Sequence, residues 1–291
     1  ELVKLVQAMQ EIKAEEDSRV NSYEIFVNRK LTHIRNSRGV DVTFSGFDCE
    51  IEVVTNSRKG DHEIEIYKDL RFSDKSAEDI IAEVRGMFHN GRQRLNAVPT
   101  RQNEHADVLL TGNAVGSFFQ YFAMHTNASY QYMGVAKAKI GEAITGADAD
   151  PLTIRLEPTL DGSTKNAPYD ENGVPVTERI LFENGICRSY WGSLQHAHYI
   201  GMKDTTSMNN LVVEGGSKTL AELRSMPHIE ITDFSAFDMD AVSGTCGGEI
   251  RLAYESDGTT SHPTTSGSLS ARFDDVLKNL TFSKETQQIN N

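Results

Sequence analysis

The sequence predicts an α+β fold: a helix-flanked antiparallel sheet over residues 1–100, then a β-rich, sheet- or barrel-like domain with a few helices over 105–291. Three observations carry this. Residues 23–69 alternate apolar and polar positions between turn-forming clusters, the period of half-buried strands. The period lengthens to that of a helix over 73–95, and Pro99 stops it. After the polar stretch 100–106, the best internal boundary, short alternating segments return and dominate.

The first element is a helix over 2–16, where Leu2, Leu5, Val6, Met9 and Ile12 recur at helical spacing. Residues 23–27 and 31–35 read as two strands around an Asn28-Arg29-Lys30 turn. Asn36-Ser37-Arg38-Gly39 makes a second turn, with Gly39 suited to a positive φ. Segments 40–44 and 48–55 form another strand pair, and 63–69 a fifth strand. Ser76 and Asp79 form a capping box for a helix with the apolar stripe Ile80, Ile81, Val84, Met87 and Phe88.

Beyond the boundary, a strand over 107–111 precedes a helix over 113–124 carrying Val115, Phe118, Phe119 and Phe122, with helical character continuing to Ile144. Strands are expected at 153–157, 177–183, 186–191, 228–233 and 248–255, with Glu183-Asn184-Gly185 as a hairpin turn. A short helix over 218–224 and a last one over 269–280 complete the reading.

The hydrophobic fraction of 38% and charged fraction of 24% in 291 residues suit a globular chain. A net charge of −13 argues against a phosphate-neutralising surface, so no nucleic-acid partner is expected; an acidic average is commoner as plain solubility than as DNA mimicry. No run of about 18 apolar residues offers a membrane span. No basic-then-apolar leader opens the chain, which starts with Glu1 and reads as a fragment or a processed product. Three cysteines, Cys49, Cys187 and Cys246, lie far apart without a C-x-x-C pair, which fits a reducing cytoplasm.

Several segments, in order, resemble the TldD/PmbA family, also known as modulators of DNA gyrase. They are Arg35-Asn36-Ser37-Arg38-Gly39, Lys139-Ile140-Gly141-Glu142 with Asp150-Pro151, and Tyr169-Asp170-Glu171-Asn172-Gly173-Val174-Pro175, where Tyr169 and Asn172 depart from the family pattern. Phe182-Glu183-Asn184-Gly185-Ile186-Cys187, Asn210-Leu211 with Gly215-Gly216-Ser217, Val242-Ser243-Gly244 and Ser266-Gly267-Ser268-Leu269 follow. The resemblance spans residues 22–280 and points to the carboxy-terminal two-thirds of a PmbA (TldE)-like member.

Catalytic members of that family are zinc peptidases with a His-Glu-x-x-x-His helix and a further Cys ligand. Two imidazoles about one turn apart can hold one ion and leave a position for water, with the Glu as general base. Setting His125 against the second histidine places Gln120 and Tyr121 where His and Glu should stand. An amide binds zinc weakly and a neutral phenol is a poor base, so no catalytic residue and no zinc are expected in this chain.

His125 reads as a helix-end histidine rather than a ligand. His196 and His198, two apart, would share a face on a strand and are the other weak metal candidates. The pair His62-Glu63 reads as surface, and Cys246 among Gly244, Gly247 and Gly248 as a small buried residue. Asp170 and Gly173, with Gly215, Gly216 and Ser217, are candidates for a peptide groove; their plain readings are a backbone-capping turn and a helix cap at Ser217.

The resemblance implies a non-catalytic subunit paired with a zinc-bearing TldD-like chain, or a homodimer, acting on unfolded peptides and peptide precursors. Zinc is then expected in the partner. The alternatives are a self-sufficient zinc peptidase using His125, His196 and His198, and a gyrase-modulating binding protein.

Overall fold

The computed structural model describes every residue except Glu1, Lys13, Glu16, Glu104, Asn290 and Asn291. The chain opens with α1 (Leu2–Glu11), then β1 (Ser18–Arg35), β2 (Asp41–Lys59) and β3 (His62–Phe72), and α2 (Ala77–Asn96). The strands form an antiparallel sheet in the order β1-β2-β3. Ile51 and Val53 of β2 are fully buried against Ile80, Val84 and Phe88 of α2 and Leu5 and Met9 of α1, which makes one apolar core. The capping box at Ser76 forms as expected, each partner bonding the other's backbone. The expected helix ends early, at Glu11, and Lys13 and Glu16 lie outside the described residues.

After α2 come β4 (Val98–Pro99), β5 (Val108–Leu110), α3 (Asn113–His125), α4 (Ala128–Met133), β6 (Ile154–Glu157), β7 (Arg179–Glu183), β8 (Ile186–Cys187), α5 (Leu194–Tyr199) and β9 (Asn210–Val213). The chain continues through α6 (Leu220–Arg224), β10 (His228–Asp240), β11 (Thr245–Ser256), β12 (Ser261–Thr265), β13 (Ser268–Arg272) and α7 (Phe273–Val276). A mixed sheet runs β4-β12-β11-β10-β5, with β13 also pairing β11; a second, antiparallel sheet runs β8-β7-β6-β9. The fold is α+β, and its sheets stay open, so the barrel-like alternative is not realised. Phe122, Leu152, Ile154, Leu156, Phe182 and Phe273 are at the centre of the core that α3 shares with these sheets.

Four expectations need correcting. The Asn28-Arg29-Lys30 segment is not a turn, because it pairs straight across with Asp48-Phe47-Gly46; Asp48 takes Lys30 at 2.8 Å and the Asn28 amide at 3.0 Å. Two expected strand pairs are therefore one long hairpin. Residues 269–280 are not one helix, since Leu269 and Ala271 pair with β11 and only Phe273–Val276 is helical. Ser217 does not cap the helix near 218; Thr219 does, in a box with Glu222. Helical character does not reach Ile144, for Gly134 closes α4 in the left-handed region at φ 72°.

Candidate functional site

The helix set against the zinc motif buries Ala114, Phe118, Tyr121, Phe122 and His125 on one stripe, the spacing its sequence dictates. Thr126 ends it, its hydroxyl donating to the Ala123 carbonyl at 2.9 Å. His125 is fully buried, and its Nδ1 accepts the Lys137 amide N–H at 3.1 Å, so the proton belongs on Nε2. Nε2 lies near the Ala241 carbonyl without a well-formed hydrogen bond.

Tyr121 stacks flat on Phe273 at 3.7 Å, and its hydroxyl lies beside the Lys137 ammonium, again without a regular bond. Lys137 Nζ is held by Asp274 at 2.6 Å. Burial first, then the Lys137 charge, hold His125 neutral by lowering its pKa to about 4. Burial pushes the Tyr121 phenol up, and the Asp274 carboxylate raises Lys137.

Zinc does not fit this nest. The imidazole offers one nitrogen to an amide and turns the other toward a carbonyl, the nearby charges are the Lys137 ammonium and an Asp274 carboxylate already spent on it, and Gln120 is exposed. No three His, Cys, Asp or Glu side chains converge anywhere among the described residues.

His196 and His198 lie on the helix α5, not on a strand, because Ser193 caps that turn by accepting the His196 N–H. Two residues apart on a helix point about 200° apart, so the histidines do not share a face. His196 Nδ1 pairs with the Ser193 hydroxyl at 2.9 Å, and its ring sits with Tyr132 and Tyr199.

Gly215, Gly216 and Ser217 face the carboxy-terminal segment. Gly216 N–H donates to Ser283 O, and a Cβ on Gly216 would meet the Phe282 carbonyl at 2.1 Å. Asp150, nearly buried, is the hub: its carboxylate accepts the Ser217 hydroxyl at 2.5 Å, the Ser217 N–H at 3.3 Å and the Phe282 N–H at 3.0 Å. Burial opposes its ionisation, but these donors win and lower its pKa. Ser217 and Asp150 stand in separate family-like segments of the sequence, and nothing local links positions so far apart.

Asp170 Oδ1 accepts the Asn172 and Val174 N–H groups, both at 2.8 Å. This turn packs on the tip of the long hairpin: Gly173 (φ 78°) leaves room for Val40, and Tyr169 meets Phe44 at 6.2 Å. A separate polar cleft of about 470 Å³ opens between Asn90, Arg224 and the loop at 258–261, its floor holding Glu230 in a two-pronged bond from Arg224.

Residues 103–291 match the family model described as the PmbA/TldA metallopeptidase C-terminal domain. The chain belongs to the PmbA/TldD family. The same fold is seen in solved structures. TldE from Thermococcus kodakarensis is 19% identical, with a TM-score of 0.75 over 95% of this chain and 66% of its own. A candidate modulator of a DNA gyrase from Thermotoga maritima is 19% identical, with a TM-score of 0.74 over 94% of this chain and 66% of its own. A candidate gyrase modulator from Bacteroides thetaiotaomicron is 17% identical, with a TM-score of 0.76 over 95% and 64%. The chain thus spans about two thirds of those solved chains or slightly less. No curated protein matches it significantly. The His125 nest, the Asp150 hub and the Asp170 turn all lie within the matched region, whereas the β1-β2-β3 sheet precedes it. No described helix is long and apolar enough to cross a membrane.

Proposed function

We propose that this chain is a TldE-like, non-catalytic subunit of a TldD-type metallopeptidase complex in the cytoplasm, acting on unfolded peptides and on small peptide precursors. The observation that carries the reading is the His125 nest: where a metal-binding helix would need ligands, the chain sets a buried neutral imidazole, a stacked phenol and a lysine ammonium. The zinc then resides in the partner, a TldD-like chain; a homodimer is the other assembly.

An extended substrate binds by strand addition, which draws affinity from backbone groups and tolerates varied sequence. Asp170, Gly173, Gly215, Gly216 and Ser217 serve as margins of that groove through backbone placement, since their side-chain space is already taken.

The test is a pull-down with a zinc-bearing TldD-like chain, alongside peptide digestion by each chain alone and by the mixture. The expected result is association, with chelator-sensitive cleavage only when the partner is present. Chelator-sensitive cleavage by this chain alone would end the proposal and return the self-sufficient peptidase. The gyrase reading, kept because two similar structures carry that description, requires altered supercoiling with excess chain.

A further inference from the structure

The long hairpin carries a charge pattern opposite to that of the chain as a whole. Between Val27 and Val40 there are four basic residues, Arg29, Lys30, Arg35 and Arg38, with no acidic one, in a protein of net charge −13. Lys30 and Arg35 are answered by Asp48 and Asp41 of the returning strand, at 2.8 and 3.7 Å. Arg29 and Arg38 make no ion pair among the described residues.

The same stretch is a sheet edge. β1 pairs only with β2, and its other side has no strand among the described residues. Asn36 N–H donates to Val40 O, and the register runs unbroken from Ser22 to Arg35. Hydrogen-bonded pairs alternate in an antiparallel ladder, so Asn28, Lys30, Thr32 and Ile34 spend their backbone groups on β2. Val27, Arg29, Leu31 and His33 therefore turn their N–H and C=O groups outward. Leu31 is 77% exposed and Val27 43%, so apolar side chains flank the unpaired backbone on this edge.

We propose that the outer edge of β1, over residues 27–35, docks an extended acidic segment of another protein as an added antiparallel or parallel strand. Backbone pairing supplies affinity, Val27 and Leu31 take apolar side chains, and Arg29 with the tip arginines selects carboxylates over ammonium groups. The opposite edge of the sheet supports this sorting by contrast at its start: β3 bears Glu63 and Glu65 there, which would repel such a segment, while Asp69 further along is answered by Arg71. Basic residues on an edge also discourage indiscriminate strand pairing, and here they leave acidic strands as the admitted class. The inference deepens the strand-addition part of the proposed function and needs no zinc-bearing partner.

The experiment uses the full chain and two labelled octapeptides with Val and Glu, or Val and Lys, taking turns at every second position and Thr between, so that both residue types meet the face that Val27, Arg29 and Leu31 share, followed by fluorescence anisotropy. The Glu peptide should bind at least roughly tenfold more tightly than the Lys peptide, an advantage that shrinks with added salt. Arg29→Glu should erase that preference. Leu31→Pro removes an outward N–H without touching the β1–β2 ladder and should abolish binding, with melting curves checking the fold. Equal binding of both peptides, no binding of either, or full binding by folded Leu31→Pro protein would overturn the proposal. So would peptide-independent self-association through β1, or attachment to phosphatidylserine vesicles that the Glu peptide does not compete away. Loss of the zinc-bearing partner in the pull-down would leave this result untouched, so the two readings fail separately.

Discussion

His125 meets Tyr121 edge-on, with ring centroids 4.3 Å apart and planes at 75°. Its Nδ1 is simultaneously tied to the backbone N–H of Lys137. A ring whose Nδ1 already accepts an amide N–H, against an aromatic wall, has no place for a second proton.

That yields a pH prediction. The folded pKa is about 4 against an ordinary 6.5, so between those values the unfolded chain takes up a proton that the folded chain refuses. Stability should fall as pH drops from about 6.5 to about 4 and level off below, by at most roughly 3 kcal/mol from this group. His125→Phe should lower stability at neutral pH by roughly 1–3 kcal/mol, by orphaning the Lys137 amide, while flattening that acid limb. Urea midpoints across the window decide; an unchanged slope in the variant would sink the assignment.

The Asp150 hub gives a second prediction. Asp150→Ala leaves the Ser217 and Phe282 donors without their acceptor and should cost roughly 2–4 kcal/mol. Its lowered pKa means the contribution is present above the unfolded value of 3.8 and is lost as pH falls through the folded one. Amide exchange at Phe282 should accelerate in the variant; protection equal to wild type would refute the role of the tie.

At the hairpin tip, Gly173→Ala adds a Cβ 2.4 Å from Val40 Cγ1 at a φ of 78°. A loss of roughly 2–3 kcal/mol is expected from overpacking and left-handed strain together. Combining it with Val40→Ala should recover part of that loss, because the clash goes and the strain stays. Strict additivity in the double-mutant cycle would show that the two residues do not meet.

Metal binding is tested most directly on the pure chain. Elemental analysis after purification without added metal should find far less than one zinc per chain, and excess zinc should leave Tm unchanged. A zinc-dependent rise in Tm abolished by His125→Phe would overturn the account of the nest.

Local signals carried well from sequence to structure, and distant ones did not. The Ser76–Asp79 box lies within one turn and was legible as written. The Asn28-Arg29-Lys30 segment has turn chemistry, yet pairing with Asp48 across the hairpin overrides it. Leu269 stands at helical spacing from Phe273, Val276 and Leu277, and only pairing with β11 draws it into a strand. His196 and His198 had an ambiguous period, settled by Ser193 capping. At the candidate site the sequence singled out His125, Tyr121 and Ser217 but not Lys137, Asp274 or Phe273. Those partners are supplied by segments whose approach depends on the whole fold, and one-dimensional spacing holds no trace of it.

The Asp150 carboxylate binds a residue 132 positions further along the chain. During synthesis it has no partner there until Phe282 has left the ribosome, so this domain cannot finish folding from its amino-terminal side. Until then Ser217 alone can serve the carboxylate, and the seam at Gly215 and Gly216 stays open, so closing this part of the fold depends on contacts of long sequence separation.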